Sequence, residues 1–519
     1  MRFSSVSCYH ACRSKDPLAR VEERFISPFL ILLVGVLFIV ASIIWLKLHP
    51  FFALILAAVL VGVLPSNAVV VDPGVSWLQQ ALRSFESSAT GLGLMAGKIG
   101  IVIALAAVIG QCLMDSGAAD RITRTLLNVF GEKRANWALL LSGYCLSIPV
   151  FFDTVFFLLI PLARAMFLRT GKNYMSYVMA ICAGGVITHG IVPPTPGPLL
   201  MAETLEIELG QAILGGFLIG LPVALFGGLV LPKLFVARGV DIPMRDAPGS
   251  STAKLQEIVD RPEKELPGFF ASILPVALPV ILITAYSAWN AIDHKGAILE
   301  FMGMENVKLY EGCRDTLALL GNKNLAMFLA TGLAMWLLAR SKGYSLKQLT
   351  TAIEPALKEA GVIILITAAG GAFGGMLKGT GIGITISDMV TGYVEGGEAS
   401  WGIGILLILI AWGSAAVMKI AQGSGTVAVI TAAGIMAGVL TGLAEAEVEL
   451  PYHKIYIFAA ISFGAKVLSW MNDSGYWVVC KMSGFTEKET LKTWTAQLAA
   501  MGVFGLIEVL VLIHIFPLN

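Results

Sequence analysis

The chain has 519 residues, of which 56% are hydrophobic and 14% are charged, and its mean hydropathy is +0.80. Soluble domains carry roughly 25% charged residues, so this composition excludes a soluble protein and indicates a polytopic membrane protein. The formal net charge of +1 lacks the basic excess of a nucleic-acid-binding protein, and we expect no nucleic-acid partner.

Residues 1–27 are a basic N-terminal leader, which we expect to be disordered. This leader contains Cys8, His10 and Cys12, whose residue types and spacing resemble those of metal ligands. A flexible leader is the favoured interpretation. The other five cysteines lack metal-ligand pairing along the sequence, so we expect neither a metal ion nor a resident cofactor.

Apolar runs follow that reach or approach the length of about 20 residues needed to cross a bilayer. Simple spans are predicted at 28–46, 51–64, 90–114, 210–236, 269–289, 316–338, 355–377 and 493–516. Two other stretches, 137–167 and 401–440, are predicted to form re-entrant hairpins. Two more, 174–201 and 451–479, are predicted to be broken helices.

Lys and Arg residues orient these segments, because cytoplasmic loops carry the excess of positive charge. Basic loops flank 137–167 on both sides, so this hairpin should enter and leave from the cytoplasm, with its tip near 147–150. The flanks of 401–440 are acidic and poor in Lys and Arg, so the second hairpin should open from the outside. The two hairpins are therefore predicted to be inverted.

An internal repeat supports this inversion. Residues 96–117 align with 360–381 at a constant offset, and each copy is followed by a hairpin and then a broken span. We predict an all-α polytopic membrane protein with two inverted repeats, each of about five transmembrane helices plus one re-entrant hairpin, with discontinuous helices at the midplane. The repeats are placed at 28–236 and 269–519, joined by a cytoplasmic linker at 237–268.

The segment AGGVITHGIVPPTPGPLL at 183–200 cannot form one continuous helix, because its four prolines lack backbone donors and disfavour helix in the residues before them. At membrane depth the freed carbonyls must face protein or water, so this break is predicted to be half of a substrate site. His189 can bind a hydroxyl, a carboxylate or a proton, or can cap freed carbonyls. The candidate binding residues are Thr188, His189, Gly190, Thr195 and Gly197.

The second hairpin contains AQGSGTVAVITAAG, in which a glycine-rich turn leads into an apolar helix. An anion can rest on the free donors of such a helix N-terminus, although the same sequence also makes ordinary caps. Lys419 is a candidate counter-charge for a carboxylate or an ion-pair partner of Asp153 or Asp473, with snorkelling to an interface as the alternative. Snorkelling is favoured more strongly for Lys98 and Lys466. The candidate binding residues are Gln422, Gly423, Ser424, Gly425 and Thr426.

The second broken span ends in SWMNDSGYWVV, and its polar residues Asn472, Asp473 and Ser474 are further candidates for binding. Asp153 follows the first hairpin tip among four phenylalanines. A carboxylate there is costly to keep ionised, so Asp153 can load and release a proton, with His189 as a second candidate. The alternative is a carboxylate that is hydrogen-bonded within the scaffold.

At THGIVPPTPGP, AQGSGTVAVITAAG and NDSGYW together, the chain after about Ser27 resembles the gluconate permease family of sugar-acid:proton symporters, within the ion-transporter superfamily. The chain departs from the family pattern at Thr195, where histidine is usual, at Asp153, where glutamate is common, and at Ser474, where proline is usual. The resemblance implies that paired hairpin tips form the binding site and that a transport domain moves against a scaffold.

We therefore predict a multi-pass secondary active transporter of a bacterial inner membrane that imports gluconate or a related sugar acid with protons by alternating access. Its substrate carboxylate is expected at Ser424 and Thr426, and its hydroxyls at Thr188, His189 and Asn472. Sodium-coupled transport, or transport of another small organic anion, is the alternative. A channel is disfavoured because inverted hairpins suggest alternating access.

A membrane-embedded enzyme with His189 and Asp473 as an acid/base pair is also disfavoured, because no nucleophile elbow, metal-ligand helix or cofactor loop accompanies them. The expected partners are the sugar acid and membrane lipid. A homodimer is also open, because glycine-rich helix faces can pack within one chain or between chains.

Overall fold

A computed structural model describes residues 26–66, 75–171, 173–245, 262, 265–293, 297–302, 307–381, 385, 401–445 and 448–518. Most of the predicted leader at 1–27 and most of the predicted linker at 237–268 lie outside these residues. The described part of the chain is built from helices, and nine of the helical segments in it are long and apolar enough to cross a membrane.

The first half of the chain contains four helices, a helical hairpin, a broken helix and a final span. The helices are α1 (Pro28–Ile44), α2 (Pro50–Val63), α3 (Trp77–Ser116), α4 (Ala118–Phe130), α5 (Ala135–Leu146), α6 (Phe152–Thr170), α7 (Tyr174–Ile191), α8 (Pro196–Thr204), α9 (Leu209–Leu225) and α10 (Leu231–Ala237), with a π-helical turn at Phe226–Val230 between the last two.

The second half repeats this order. Its helices are α11 (Phe269–Ile292), α12 (Ala297–Met302), α13 (Val307–Leu320), α14 (Lys323–Lys342), α15 (Leu346–Lys378), α16 (Trp401–Gln422), α17 (Gly425–Glu445), α18 (Ile455–Gly464), α19 (Ser474–Ser483), α20 (Glu487–Thr490) and α21 (Ala496–Ile515). The hairpin α5–α6 of the first half corresponds to the hairpin α16–α17 of the second half. The broken helix α7–α8 corresponds to the broken helix α18–α19.

The long helices α3 and α15 are the counterparts predicted by the internal repeat, and both begin in the same way. Ser76 and Ser345 each cap their helix, and a glutamine three residues later closes a capping box. The two helices pack along each other in opposite directions, with Gly91 against Ala372 and Gly100 against Ile364. Glycine at these contacts lets the two backbones approach closely.

The helix contacts of one half recur in the other. Helix α5 packs on α7 as α16 packs on α18, and the final span packs on the broken helix in both halves. Across the halves, α8 packs on α17 and α19 packs on α6. The second part of each broken helix therefore lies against the hairpin of the other half, which brings both breaks towards one place in the centre of the molecule.

Candidate functional site

The first break is shorter than the sequence predicts. Helix α7 continues to Ile191, so Thr188 and His189 are helical and only residues 192–195, which form a turn, interrupt the helix. The Thr195 hydroxyl donates to the Val192 carbonyl at 2.6 Å, and the side chains of Thr188 and Thr195 are buried. Proline at the start of α8 is tolerated because the first helical N–H groups have no intrahelical partner.

The second break is wider, because α18 ends at Gly464 and α19 begins at Ser474. Asp473 caps α19, where one carboxylate oxygen accepts a hydrogen bond from the Gly475 backbone N–H at 3.1 Å. Asn472 points back to the second hairpin and donates from its amide to the Ile420 carbonyl at 3.0 Å. The break is therefore fixed to the end of α16.

The tip of the second hairpin is the turn at Gly423 and Ser424. Gly423 has φ of +82°, and a Cβ there would collide with the Asn472 carbonyl, so this position requires glycine. The Ser424 hydroxyl accepts from the Val427 N–H at 3.3 Å and caps α17. The glycine-rich turn thus has two roles. Ser424 caps α17, and Gly423 packs against Asn472 of the second break.

A buried ion pair connects these two elements. The Lys419 ammonium lies 2.6 Å from an Asp473 carboxylate oxygen, and the two side chains are only 5% and 12% exposed. Lys419 also donates to the Gly423 carbonyl, and the Ser469 hydroxyl donates to Asp473. Ser469 in turn accepts from the Trp494 indole at 2.7 Å. Of the partners that the sequence allowed for Lys419, the structure selects Asp473.

A cavity of about 480 Å³ lies where the hairpins and breaks meet, and this volume suits a small-molecule ligand. Most of the predicted site residues line it, namely Asp153, His189, Gly190, Gly197, Gln422, Ser424, Gly425, Thr426, Asn472, Asp473 and Ser474. Thr188, Thr195 and Gly423 do not line it. We call this space the central cavity.

Among the fully buried polar atoms of the central cavity, those of two side chains have no hydrogen-bond partner within the described part of the chain. They are the buried side-chain amide of Gln422, at both its nitrogen and its oxygen, and the Nδ1 atom of His189. The His189 ring packs edge-on against Phe151, with 5.8 Å between ring centroids. Buried polar atoms are almost always paired, so these groups are suited to a polar ligand.

Several residues of the central cavity were not proposed from the sequence. Lys466 is buried rather than snorkelling, since it is 6% exposed and its ammonium lies against Gly190. The sequence did contain a signal for this placement, because an ionisable residue inside an apolar segment is a candidate for a functional site. The snorkelling interpretation of Lys466 did not use that signal. Glu359 and Thr367 reach the cavity from α15, and Trp494 reaches it from the last span.

The charges that line the central cavity are three carboxylates and two ammonium groups. Asp153 lies in the first turn of α6, beyond the first hairpin tip, and Glu359 faces the same space from α15. Asp473 is paired with Lys419, which leaves Lys466 as the second cation. Among the residues with described placement, no cluster of three or more His, Cys, Asp or Glu side chains is arranged to hold a metal ion.

Two inverted hairpins and two broken helices around a polar cavity inside a set of membrane spans define a membrane transporter. Residues 27–515 match the model of the GntP family permeases, and the chain belongs to this family. It is 32% identical to a gluconate permease of Pseudomonas aeruginosa over 482 residues, which cover 92% of this chain and 96% of the relative. It is 29% identical to the Gnt-II system L-idonate transporter of Escherichia coli K12, over 93% of this chain and 98% of the relative.

Solved structures of similar fold include MtrF of Neisseria gonorrhoeae, with a TM-score of 0.59, 16% identity and coverage of 95% of this chain and 96% of that chain. YdaH of Alcanivorax borkumensis has a TM-score of 0.56 and 16% identity, with coverage of 95% of this chain and all of that chain (100%). The predicted family, the inverted-repeat helical fold and the multi-pass location in a bacterial inner membrane are confirmed.

Proposed function

We propose that this transporter imports gluconate or a related sugar acid together with protons, by alternating access of the central cavity. The observation that carries the proposal is the lining of that cavity, which combines a buried ammonium, an unpartnered amide and several hydroxyls. A hydroxylated carboxylate needs this combination of groups. The names of the relatives support the same substrate class, since they include gluconate permeases and an L-idonate transporter.

The charges around the central cavity support proton coupling. Three carboxylates face two ammonium groups, and a bound monoanion adds one more negative charge. In a medium of low dielectric constant, an unbalanced negative charge is costly, so substrate binding and protonation of a carboxylate favour each other. Asp153 is the proposed proton carrier, because Asp473 is already paired with Lys419.

Alternating access is proposed from the arrangement of the helices. A second cavity of about 480 Å³ is lined by residues of α3, α8, α15 and α17, and three of these helices, α8, α15 and α17, also line the central cavity. Between the two cavities, Gly374 of α15 touches Gly434 of α17, and a Cβ on Gly370 would overlap Ile430. We propose that this contact separates two sides of one pathway, and that movement of α8 and α17 against α15 opens it.

The experiment is uptake of labelled gluconate into proteoliposomes that contain the purified full-length protein. An imposed pH gradient, acidic outside, should drive accumulation above equilibrium, and a protonophore should abolish it. Accumulation driven by a sodium gradient and insensitive to protonophore would contradict proton coupling. Absence of saturable uptake and counterflow across a panel of sugar acids would contradict the transport of sugar acids itself.

A further inference from the structure

We propose that Lys466 binds the substrate carboxylate and that Gln422 binds a hydroxyl next to it, so that the central cavity selects a hydroxycarboxylate anion over its neutral analogue. This inference rests on the proposed function and replaces the sequence-based expectation that the carboxylate lies on Ser424 and Thr426.

Lys466 has the properties of a binding group rather than of a structural one. Its side chain is 6% exposed and lines the central cavity. Within the described part of the chain its ammonium makes no salt bridge of its own, and the carboxylate that acts on it electrostatically, Asp473, is already paired with Lys419. An unpaired buried ammonium is unfavourable, so a native position of this kind is expected to receive an anion during function.

The other cation of the central cavity is already neutralised. Lys419 is held by Asp473 and by the Gly423 carbonyl, and the Ser469 hydroxyl completes the environment of Asp473. A substrate carboxylate at Lys419 would have to displace Asp473 from this network. Lys466 needs no such displacement, because its ammonium faces the backbone of Gly190, where the absence of a side chain leaves room for it.

Gln422 complements this cation from the second hairpin. Its amide nitrogen and amide oxygen are both buried without a partner among the described residues, so the side chain can donate to and accept from the same hydroxyl. The hairpin turn lies beside Lys466, because the Cβ position of Gly425 is 3.6 Å from the carbonyl oxygen of Ala465. A carboxylate and its neighbouring hydroxyl can therefore be held by the two elements together.

The test compares gluconate with its neutral amide gluconamide, which has nearly the same shape but carries an NH₂ group in place of one carboxylate oxygen, by equilibrium binding to the purified full-length protein. Wild-type protein should prefer gluconate. Lys466→Met keeps the length of the side chain and removes its charge, so it should weaken gluconate binding about 10- to 100-fold, the range of a charge-assisted hydrogen bond. It should leave gluconamide binding unchanged, which also shows that the variant is folded.

Lys481→Met is the matched control. Lys481 lies on α19, in the same half of the chain, but it is exposed, sits over the Trp477 ring at 5.4 Å and does not line the central cavity. Loss of this charge should leave the preference for gluconate intact. If Lys466→Met still preferred gluconate as strongly as wild type does, the proposed role of Lys466 would be wrong, but the proposed function would stand. Wild-type protein that binds neither ligand would instead contradict the proposed function, and this inference with it.

A second variant tests the hydroxyl contact independently of charge. Gln422→Leu removes both the donor and the acceptor of the amide while it keeps a side chain of similar bulk. Its affinity for gluconate and for gluconamide should fall by the same factor, of about 3- to 30-fold, so that the ratio between them stays at the wild-type value. Unchanged affinity for both ligands would remove Gln422 from the proposal.

Discussion

The ion pair between Lys419 and Asp473 joins the second hairpin to the second break, so its removal tests whether these elements form one unit. Both side chains are nearly buried, at 5% and 12% exposure, and the charged atoms are 2.6 Å apart. Loss of one partner of such a pair leaves an uncompensated charge, which costs about 3–5 kcal/mol. Lys419→Met and Asp473→Asn should each lower the free energy of unfolding by about this amount.

The structure predicts which of the two single variants loses more unfolding free energy. Without Lys419, the Asp473 carboxylate keeps the Ser469 hydroxyl and the Gly475 N–H as donors. Without the Asp473 charge, Lys419 keeps only the Gly423 carbonyl and shares the central cavity with the second cation, Lys466. Asp473→Asn should therefore be the more destabilising of the two.

The double variant Lys419→Met/Asp473→Asn leaves neither member of the pair as an uncompensated charge and should be less destabilised than either single variant. The assay is unfolding of the purified protein in mixed micelles for the four members of the cycle, followed by two independent probes. The wild type and the double variant should unfold closest together. Destabilisation of the double variant by the sum of the two single effects would refute the coupling and, with it, the proposal that hairpin and break are locked together.

Two further predictions concern the proton and the hairpin turn. Asp153→Asn should abolish accumulation of gluconate against its gradient while exchange of gluconate across the membrane continues; accumulation at the wild-type level would remove Asp153 as the proton carrier. Gly423→Ala should lower thermal stability and transport together, because left-handed backbone costs a non-glycine residue about 1–2 kcal/mol and the new methyl group would also collide with the Asn472 carbonyl. Gly413→Ala, in α16 with open space around its Cβ position, is the control and should unfold no earlier than wild type.

The sequence predicts the helical elements well because their physical signals are local. Apolar length marks the spans, the prolines at 193–198 mark the first break, and the glycines at 423 and 425 mark the hairpin tip. The repeat also identifies α3 and α15 as counterparts, and the two helices pack against each other. Inversion of the two halves followed from charge in the loops, which is again a local property.

Side-chain roles were harder to predict, because they depend on contacts between distant segments. Thr188 and Thr195 surround the first break in sequence, yet α7 stays helical to Ile191 and neither threonine lines the central cavity. Lys466 has a sequence signal, but its neighbour Gly190 is 276 residues away and only the fold brings them together. Glu359 is an ionisable residue of the predicted span 355–377, but only the packing of α15 shows that it reaches the central cavity.

The most direct test of the central claim, that the second hairpin tip and the two breaks form one binding site for a sugar acid, is protection of a single cysteine by substrate. Ser424→Cys places a thiol at the hairpin turn, and its labelling rate by a small maleimide is measured above the background of wild-type protein. Thr350→Cys, exposed on α15 and outside the cavity lining, is the control. Gluconate should slow labelling at position 424, whereas gluconamide at the same concentration should not. Labelling at position 350 should be unchanged by either ligand. Equal labelling at position 424 with and without a saturating concentration of gluconate would contradict the account.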